Sequence, residues 1–179
     1  MQYRGIDPLG NVWRRIWNDI KEYFGNGINF YQKDILELVD IITRHSWISD
    51  VLIFQYVFSD MYKHSNEEEI IQFINKLAGF LNLYDEKPIY ILCNDINLSK
   101  SMGGGREFFD ILESKVENPK IVRKMHFDNI NRDRHYEYGD QYNSNALVFN
   151  NITDDIRNAY NPFESCASAQ ILIKKERSD

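Results

Sequence analysis

Cysteine is scarce in this sequence, and its placement argues against the usual cross-linked scaffolds. The two cysteines, Cys93 and Cys166, lie far apart in the chain, and neither belongs to a Cys-x-x-Cys pair. A disulfide framework or a zinc-binding cysteine cluster is therefore not expected, and we predict two free thiols in a reducing compartment. The four histidines include no His-x-x-x-His pair, so we predict no metal site.

Long hydrophobic runs and an excess of positive charge are absent as well. No apolar stretch approaches the roughly 18 residues needed to cross a bilayer, and the start of the sequence lacks the basic-then-apolar pattern of a signal peptide. We therefore expect a cytoplasmic protein that does not enter membranes. The formal net charge is -6, which repels a phosphate backbone, so binding to nucleic acid is not favoured.

The sequence does have enough apolar residues for one hydrophobic core. It contains 179 residues, of which 43% are hydrophobic and 14% aromatic, and a chain of this length can bury about two-thirds of its unfolded surface. Folding then needs no cross-link, because burial offsets the entropy that is lost on ordering. We predict a single α/β domain over residues 1–179.

Apolar residues recur with two alternating periods along the chain. Short apolar runs predict strands at residues 3–6, 28–32, 51–58, 88–93, 121–127, 146–149 and 169–173. Spacings of three and four residues predict helices at residues 11–24, 35–43, 67–81, 106–117 and 153–160. Residues 128–145 are polar and aromatic, and we interpret them as a surface excursion or lid. Strands that alternate with helices predict a mostly parallel sheet with helices on both faces.

Polar residues follow several of the predicted strands. They are Asp7, Asp34, Gln55 with Tyr56, and Asn94 with Asp95. In open α/β sheets the ligand lies beyond the carboxyl ends of the strands, so these positions form the candidate site. An acid that closes an early strand can accept hydrogen bonds from both ribose hydroxyls, and an acid one unit later can meet the exocyclic amine of adenine. Asp7 and Asp34 have that placement.

Taken in order, several segments resemble the class I S-adenosylmethionine-dependent methyltransferase family. Gly5-Ile6-Asp7-Pro8 is similar to the end of the family's second strand, and Lys33-Asp34-Ile35 to the step after its third. Residues 50–60 are similar to its fourth strand and exit, residues 88–95 to its fifth strand, and residues 171–175 to its last strand. The resemblance covers nearly the whole chain and implies a Rossmann-like fold with an antiparallel C-terminal strand.

The resemblance also implies S-adenosylmethionine as the cofactor and a set of site residues. The implied cofactor contacts are Asp7, Asp34, Ile35, Gln55 and Tyr56, and the implied substrate-side residues are Asn94 and Asp95. Asp7 would bind the ribose, while Asp34 and Ile35 would border the adenine. Neither a catalytic residue nor a methyl acceptor is implied.

One part of the family pattern has no counterpart here, namely the first strand and the G-x-G-x-G-like loop that follows it. Only Met1-Gln2 precede the segment that resembles the second strand, and the glycine cluster Gly103-Gly104-Gly105 comes after the fifth. We therefore expect an N-terminally incomplete sheet with open strand edges. Three explanations compete: a partner chain or second copy completes the sheet, the reading frame is truncated, or the domain has closed the gap and lost the activity.

Each candidate residue also has a purely structural interpretation. Asp7 could simply form an Asp-Pro turn ahead of a helix, and Asp34 could be an acid that stabilises a helix start. The run from Gly103 to Arg106 could hold an anion in another kind of nucleotide-binding protein, or serve as a flexible hinge. The sequence thus favours a truncated or partner-completed methyltransferase, and leaves open a catalytically inactive relative that acts as a protein-binding module or oligomeric scaffold.

Overall fold

The computed structural model of the chain describes residues 2–25, 27–45, 49–84, 86–128, 137–143 and 168–177. Its contacts divide into two units, Met1–Ile48 and Ser49–Asp179. Each unit contains its own sheet, and each is described by itself below.

The first unit is a two-stranded parallel sheet with two helices. Strands β1 (Tyr3–Ile6) and β2 (Ile28–Tyr31) pair in register from Tyr3 opposite Ile28 to Ile6 opposite Tyr31. Helix α1 (Gly10–Phe24) makes the crossover between them, as a parallel pair requires. A 3₁₀ turn (Ile35–Glu37) and helix α2 (Leu38–His45) follow β2.

Helix α1 packs on β2 through an aromatic stack. The rings of Trp17 and Phe30 lie 4.8 Å apart and nearly parallel, at 3°. Gly10 makes this approach possible, because a Cβ at that position would lie 2.7 Å from the Cβ of Gln32 and 2.8 Å from the Trp17 ring. The predicted helix at residues 11–24 and the strands on either side of it are confirmed.

The second unit is built on a five-stranded sheet in the order β3-β4-β7-β5-β6. Its strands are β3 (Val51–Gln55), β4 (Ile89–Ile96), β5 (Pro119–Asp128), β6 (Asp140–Asn143) and β7 (Ser168–Lys175). Strand β3 is parallel to β4 and β5 to β6, whereas β7 is antiparallel to both of its neighbours, β4 and β5. The predicted α/β class, with a mostly parallel sheet and an antiparallel C-terminal strand, is confirmed.

Helices α3 (Val57–His64), α4 (Glu67–Leu83) and α5 (Glu107–Lys115) belong to the same unit. Helix α4 begins with a capping box: the Asn66 side chain accepts a hydrogen bond from Glu69 N at 2.9 Å, and the Glu69 carboxylate accepts one from Asn66 N at 3.2 Å. Its buried stripe is Ile70, Phe73, Ile74, Leu77, Ala78 and Leu81. This helix therefore forms where its apolar spacing predicted it.

Two predictions about the connections were wrong. The strand predicted over residues 51–58 ends at Gln55, and Val57–His64 is helical. The strand predicted to end at Cys93 continues to Ile96, because Asn94 and Asp95 pair with Gln170 and Ala169 of β7. In both cases a contact with a segment distant in sequence decides where the strand ends.

Part of the chain's second half lies outside the described residues. This applies to the strand predicted at 146–149, the helix predicted at 153–160 and most of the excursion predicted at 128–145. Within that excursion, Asp140–Asn143 form the edge strand β6. Among the described helices, none combines the length and apolar character that crossing a membrane would require.

Candidate functional site

Asp7 and Asp34 follow the carboxyl ends of two neighbouring parallel strands. The register of the pair ends with Ile6 opposite Tyr31, and Asp7 comes next, its backbone N–H donating to the Tyr31 carbonyl at 3.1 Å. Asp34 lies three residues after Tyr31. The first unit therefore brings the two predicted nucleoside-side carboxylates to the same end of its sheet.

The carboxylate of Asp7 closes the turn into α1. Its Oδ1 accepts a hydrogen bond from Leu9 N at 2.7 Å, and the residue is half-buried. This is the local bonding that aspartate offers ahead of a helix. Asp7 therefore forms the predicted Asp-Pro turn ahead of α1. This turn uses Oδ1 and leaves Oδ2 out of that hydrogen bond.

Asp34 caps the 3₁₀ turn that precedes α2. Its Oδ1 accepts a hydrogen bond from Leu36 N at 2.9 Å, and the residue is exposed. Ile35, the predicted neighbour of the adenine, is half-buried and begins this turn. Asp34 thus has the helix-start arrangement that its position suggested, while a contact with a cofactor stays a prediction.

In the second unit, the carboxyl ends of β3 and β4 bring together Gln55, Tyr56 and Asn94. Gln55 is the register partner of Asn94, and Tyr56 N donates to the Asn94 carbonyl at 2.7 Å. The Asn94 side-chain oxygen accepts a hydrogen bond from Gln170 Nε2 at 3.1 Å. Gln55 and Tyr56 are exposed, so these two side chains are accessible at the end of the sheet where ligands of open α/β folds bind.

Asp95 faces the interior of the second unit. It has no exposed surface, and its Oδ2 accepts hydrogen bonds from Phe58 N at 3.0 Å and Ser59 N at 3.1 Å. Its Oδ1 accepts from Ile96 N at 2.7 Å. Burial raises the pKa of this carboxyl, and the hydrogen bonds from Ser59 and its neighbours oppose that rise. Oδ2 is therefore engaged at the first turn of α3 and Oδ1 by the backbone of β4, both away from solvent.

This capping function of Asp95 was not anticipated from the sequence, although one signal pointed to it. Alternation along β4 places Ile89, Ile91, Cys93 and Asp95 on the same face, and all four are buried. An acid that continues a buried stripe needs donors. Two N–H groups at the start of a helix satisfy this need, and the positive end of the helix dipole also favours an acidic group there.

The glycines after β4 are positions of close packing. Gly104 and Gly105 are buried, and a Cβ on Gly105 would lie 2.6 Å from Asp95 Oδ1 and closer still to its other carboxylate atoms. A Cβ on Gly104 would overlap the Leu98 backbone. Gly103 instead adopts a positive φ of 82°. The close approach of Gly105 to Asp95 joins this loop to the α3 cap.

The fold is similar to that of a known methyltransferase. N-methyltransferase NodS from Bradyrhizobium japonicum WM9, solved in complex with S-adenosyl-L-homocysteine, superposes with a TM-score of 0.54 at 10% sequence identity. The superposition covers 97% of this chain and 66% of NodS, so the chain spans about two-thirds of that protein's length. At this identity the similarity shows that the chain has a methyltransferase-type fold.

The other comparisons are weaker. An S-adenosylmethionine-dependent methyltransferase from Methanosarcina mazei superposes with a TM-score of 0.40 at 13% sequence identity. The superposition covers 98% of this chain and 82% of the M. mazei protein. A score of this size supports no further conclusion. No family model matches the sequence, and no curated protein matches it.

Proposed function

We propose that this chain is a methyltransferase-like domain that binds S-adenosylmethionine or its product S-adenosylhomocysteine. One observation supports this more than any other. Asp7 and Asp34 follow the carboxyl ends of the adjacent parallel strands β1 and β2, the end at which open α/β sheets bind nucleotides.

The spacing and the free bonding capacity of the two carboxylates suit a nucleoside. Neighbouring strands lie about 4.8 Å apart, which allows one acid to meet a ribose while the other meets the attached base. Asp7 and Asp34 each use Oδ1 within their own turn. The second oxygen, Oδ2, is the atom that we propose for the ligand: on Asp7 for a ribose hydroxyl, and on Asp34, beside Ile35, for the adenine amine.

The fold supports the class of cofactor. NodS holds S-adenosylhomocysteine, and we extend that ligand class to this chain on the strength of the shared fold and the two acids. When bound, S-adenosylmethionine supplies a methyl group already activated on its sulfonium, so a protein of this class chiefly orients the acceptor and excludes water. No residue is proposed as a general base.

The proposal includes the second unit. Gln55 and Tyr56, exposed at the end of β3, are proposed to contact the cofactor, and Asn94 is proposed on the acceptor side. Asp95 was predicted beside Asn94, but its oxygens are engaged by backbone amides, so we propose that it acts through α3 rather than by touching the acceptor.

Two features bear on the proposed compartment and on the class of acceptor: the Cys93 thiol and the net charge. Cys93 is a free, fully buried thiol, which accords with a reducing, cytoplasmic compartment. With a formal net charge of -6, nucleic acid is not proposed as the acceptor.

Calorimetric titration with S-adenosylmethionine and S-adenosylhomocysteine tests the proposal. We expect the wild-type chain to bind, and Asp7→Asn and Asp34→Asn each to weaken binding about tenfold or more, because a hydrogen bond to a charged group is lost. Asparagine retains the oxygen that closes each turn, so the fold is preserved. Asp19→Asn, at an exposed position of α1, is the matched control and should bind normally. No heat at millimolar ligand would exclude a stand-alone enzyme.

A second candidate function is a module that binds a partner chain or a second copy of itself through strand β3. The run Val51-Leu52-Ile53-Phe54 is apolar on both faces, as in central strands, yet within the described residues β3 pairs only with β4. Val51 and Ile53 are 48% and 57% exposed. Such an edge, without charge or proline in this run, favours pairing with another strand.

A further inference from the structure

Tyr56 has a backbone conformation that bulky residues rarely adopt. Its φ and ψ are 57° and 21°, in the left-handed region. Among the described residues, Asn118, with φ at 49°, is the other non-glycine residue with positive φ. Asparagine tolerates this region because its side chain bonds locally, whereas tyrosine has no such compensation. Strain of this kind persists where the surroundings impose it, and it often marks a functional position.

Hydrogen bonds donated by backbone amides fix the turn on both sides of Tyr56. Tyr56 N donates to the Asn94 carbonyl at 2.7 Å, which ties it to the end of β4. Immediately after it, Phe58 N and Ser59 N both donate to Asp95 Oδ2. The chain must therefore leave β3 and enter the first turn of α3 within one residue, and the left-handed conformation of Tyr56 makes that turn.

The position of the Asp95 carboxylate is itself fixed by packing. Gly105 leaves room for it where any side chain would overlap it. Phe58, whose N–H the carboxylate accepts, is fully buried, with its ring centroid 5.9 Å from that of Phe108 and 6.1 Å from that of Phe109. The acceptor of the cap, the Asp95 carboxylate, therefore packs against the loop before α5, and one of its donors, Phe58, packs against α5 itself. Because both are held in place, the turn at Tyr56 between them and β3 is held as well.

We infer that Asp95 is a positioning residue: seated against Gly105, it holds the first turn of α3 and thereby keeps Tyr56 in the left-handed conformation that presents its ring at the carboxyl end of β3. Tyr56 is 38% exposed there. The inference deepens the proposed function. It rests on that function only for the identity of the ligand that contacts the Tyr56 ring, namely the cofactor. The link from Asp95 to Tyr56 holds whether or not that ligand binds.

Nuclear magnetic resonance of the labelled full chain tests the link. The amide and α protons of one residue lie closer together at positive φ than at negative φ, so a strong nuclear Overhauser effect between these two protons of Tyr56 is the signature of positive φ. We expect the positive-φ signature in the wild type, its loss in Asp95→Ala, and its retention in Asp95→Asn, whose amide oxygen can still accept from the two α3 amides. Exchange of the Phe58 and Ser59 amides should be about tenfold faster or more in Asp95→Ala.

Asp60→Ala is the matched control, because it removes an exposed acid from the same helical turn without touching those amides. It should leave the signature unchanged. A positive φ at Tyr56 that survives in Asp95→Ala, or that is missing in the wild type, would overturn the inference. S-adenosylhomocysteine is then added to the same wild-type sample: no binding counts against the proposed function and leaves the result on Asp95 standing.

A second variant decides the matter if Asp95→Ala does not fold. Gly105→Ala places a methyl group where the Asp95 carboxylate lies, so the positive-φ signature of Tyr56 should be lost and the Phe58 and Ser59 amides should exchange about tenfold faster or more. Gly79→Ala, where nothing lies within 4 Å of the added Cβ, is the matched control and should change neither. A positive φ at Tyr56 that persists in Gly105→Ala while those two amides exchange faster would contradict the inference.

Discussion

Gly105 lies directly against the carboxylate of Asp95, so closely that a Cβ on the glycine would be 2.6 Å from Oδ1 and nearer still to Cγ and Oδ2. The carboxylate also accepts hydrogen bonds from Phe58 N and Ser59 N. One pair of residues therefore joins β4, the start of α3 and the loop before α5.

Replacing Gly105 by alanine should destabilise the protein. The added methyl group must displace a buried, hydrogen-bonded carboxylate, and overpacking of this kind costs about 1–3 kcal/mol. Gly79→Ala is the opposite control, since nothing lies within 4 Å of a Cβ at that helical position and alanine stabilises a helix by about 0.5–1 kcal/mol relative to glycine. Urea unfolding of both variants checks the pair. Equal stability of Gly105→Ala and the wild type would show that the close contact is not maintained.

Because the pKa of Asp95 is raised, its contribution to the stability of the protein should fall as pH rises. Burial raises the pKa of this carboxyl above its ordinary value near 3.8. The folded state then holds the proton more tightly than the unfolded state, so the contribution of Asp95 is fully present below about pH 3.8 and declines as pH rises through the raised pKa. Asp95→Asn does not titrate. Compared with the wild type at each pH from 4 to 7, this variant should therefore gain relative stability as pH rises, and a relative loss would mean that the hydrogen bonds outweigh burial.

The capping box of α4 should be worth a measurable share of stability. Asn66→Ala removes the acceptor for Glu69 N and should cost about 1 kcal/mol. Gln72→Ala, which removes an exposed side-chain contact to Glu68 on the same helix, should cost much less. Thermal unfolding followed by circular dichroism compares the two. Equal effects would show that the cap contributes no more than an ordinary surface contact.

Strand β3 provides a test of the partner hypothesis. If a second copy pairs with this edge, Ile53→Lys should shift the chain toward monomer, because a lysine on an edge strand opposes pairing. Leu83→Lys changes a residue that is 89% exposed at the end of α4 and should leave association unchanged. Sedimentation over a wide range of concentrations measures both variants. A wild-type chain that is monomeric throughout would exclude self-pairing and leave only a different partner.

Local sequence signals predicted the elements whose stability is local. The helix predicted over residues 67–81 from apolar spacing is α4, and the structure confirms it with a buried stripe on one face. The same holds for β1, α1 and β2, whose bounds differ from the predicted ones by at most one residue. In α4 one face is buried, and such burial is encoded in the spacing of apolar residues. Helix α1 forms from the same spacing, although among its residues only Gly10 is buried.

The connection from β3 to α3 could not be predicted in this way. Val57 and Phe58 continue an apolar run and so favour a strand, but Phe58 N donates its hydrogen bond to the carboxylate of Asp95, 37 residues later. Sequence spacing carries no information about such a partner. For the same reason the sequence predicts Asp95 as a substrate-side residue, whereas in the structure its carboxylate caps α3.

Asp7 offers the most direct measurement of the central claim, that its Oδ2 accepts a hydrogen bond from the ribose of the cofactor. The affinity of the chain for S-adenosylhomocysteine is compared by calorimetry with its affinity for the 2′-deoxy analogue. We expect the wild type to prefer the ribose form about tenfold or more, because a hydrogen bond to a charged group is lost with the hydroxyl. Asp7→Asn should lose this preference, since its amide nitrogen cannot accept. Equal affinities in the wild type, or a preference that survives in Asp7→Asn, would contradict the account.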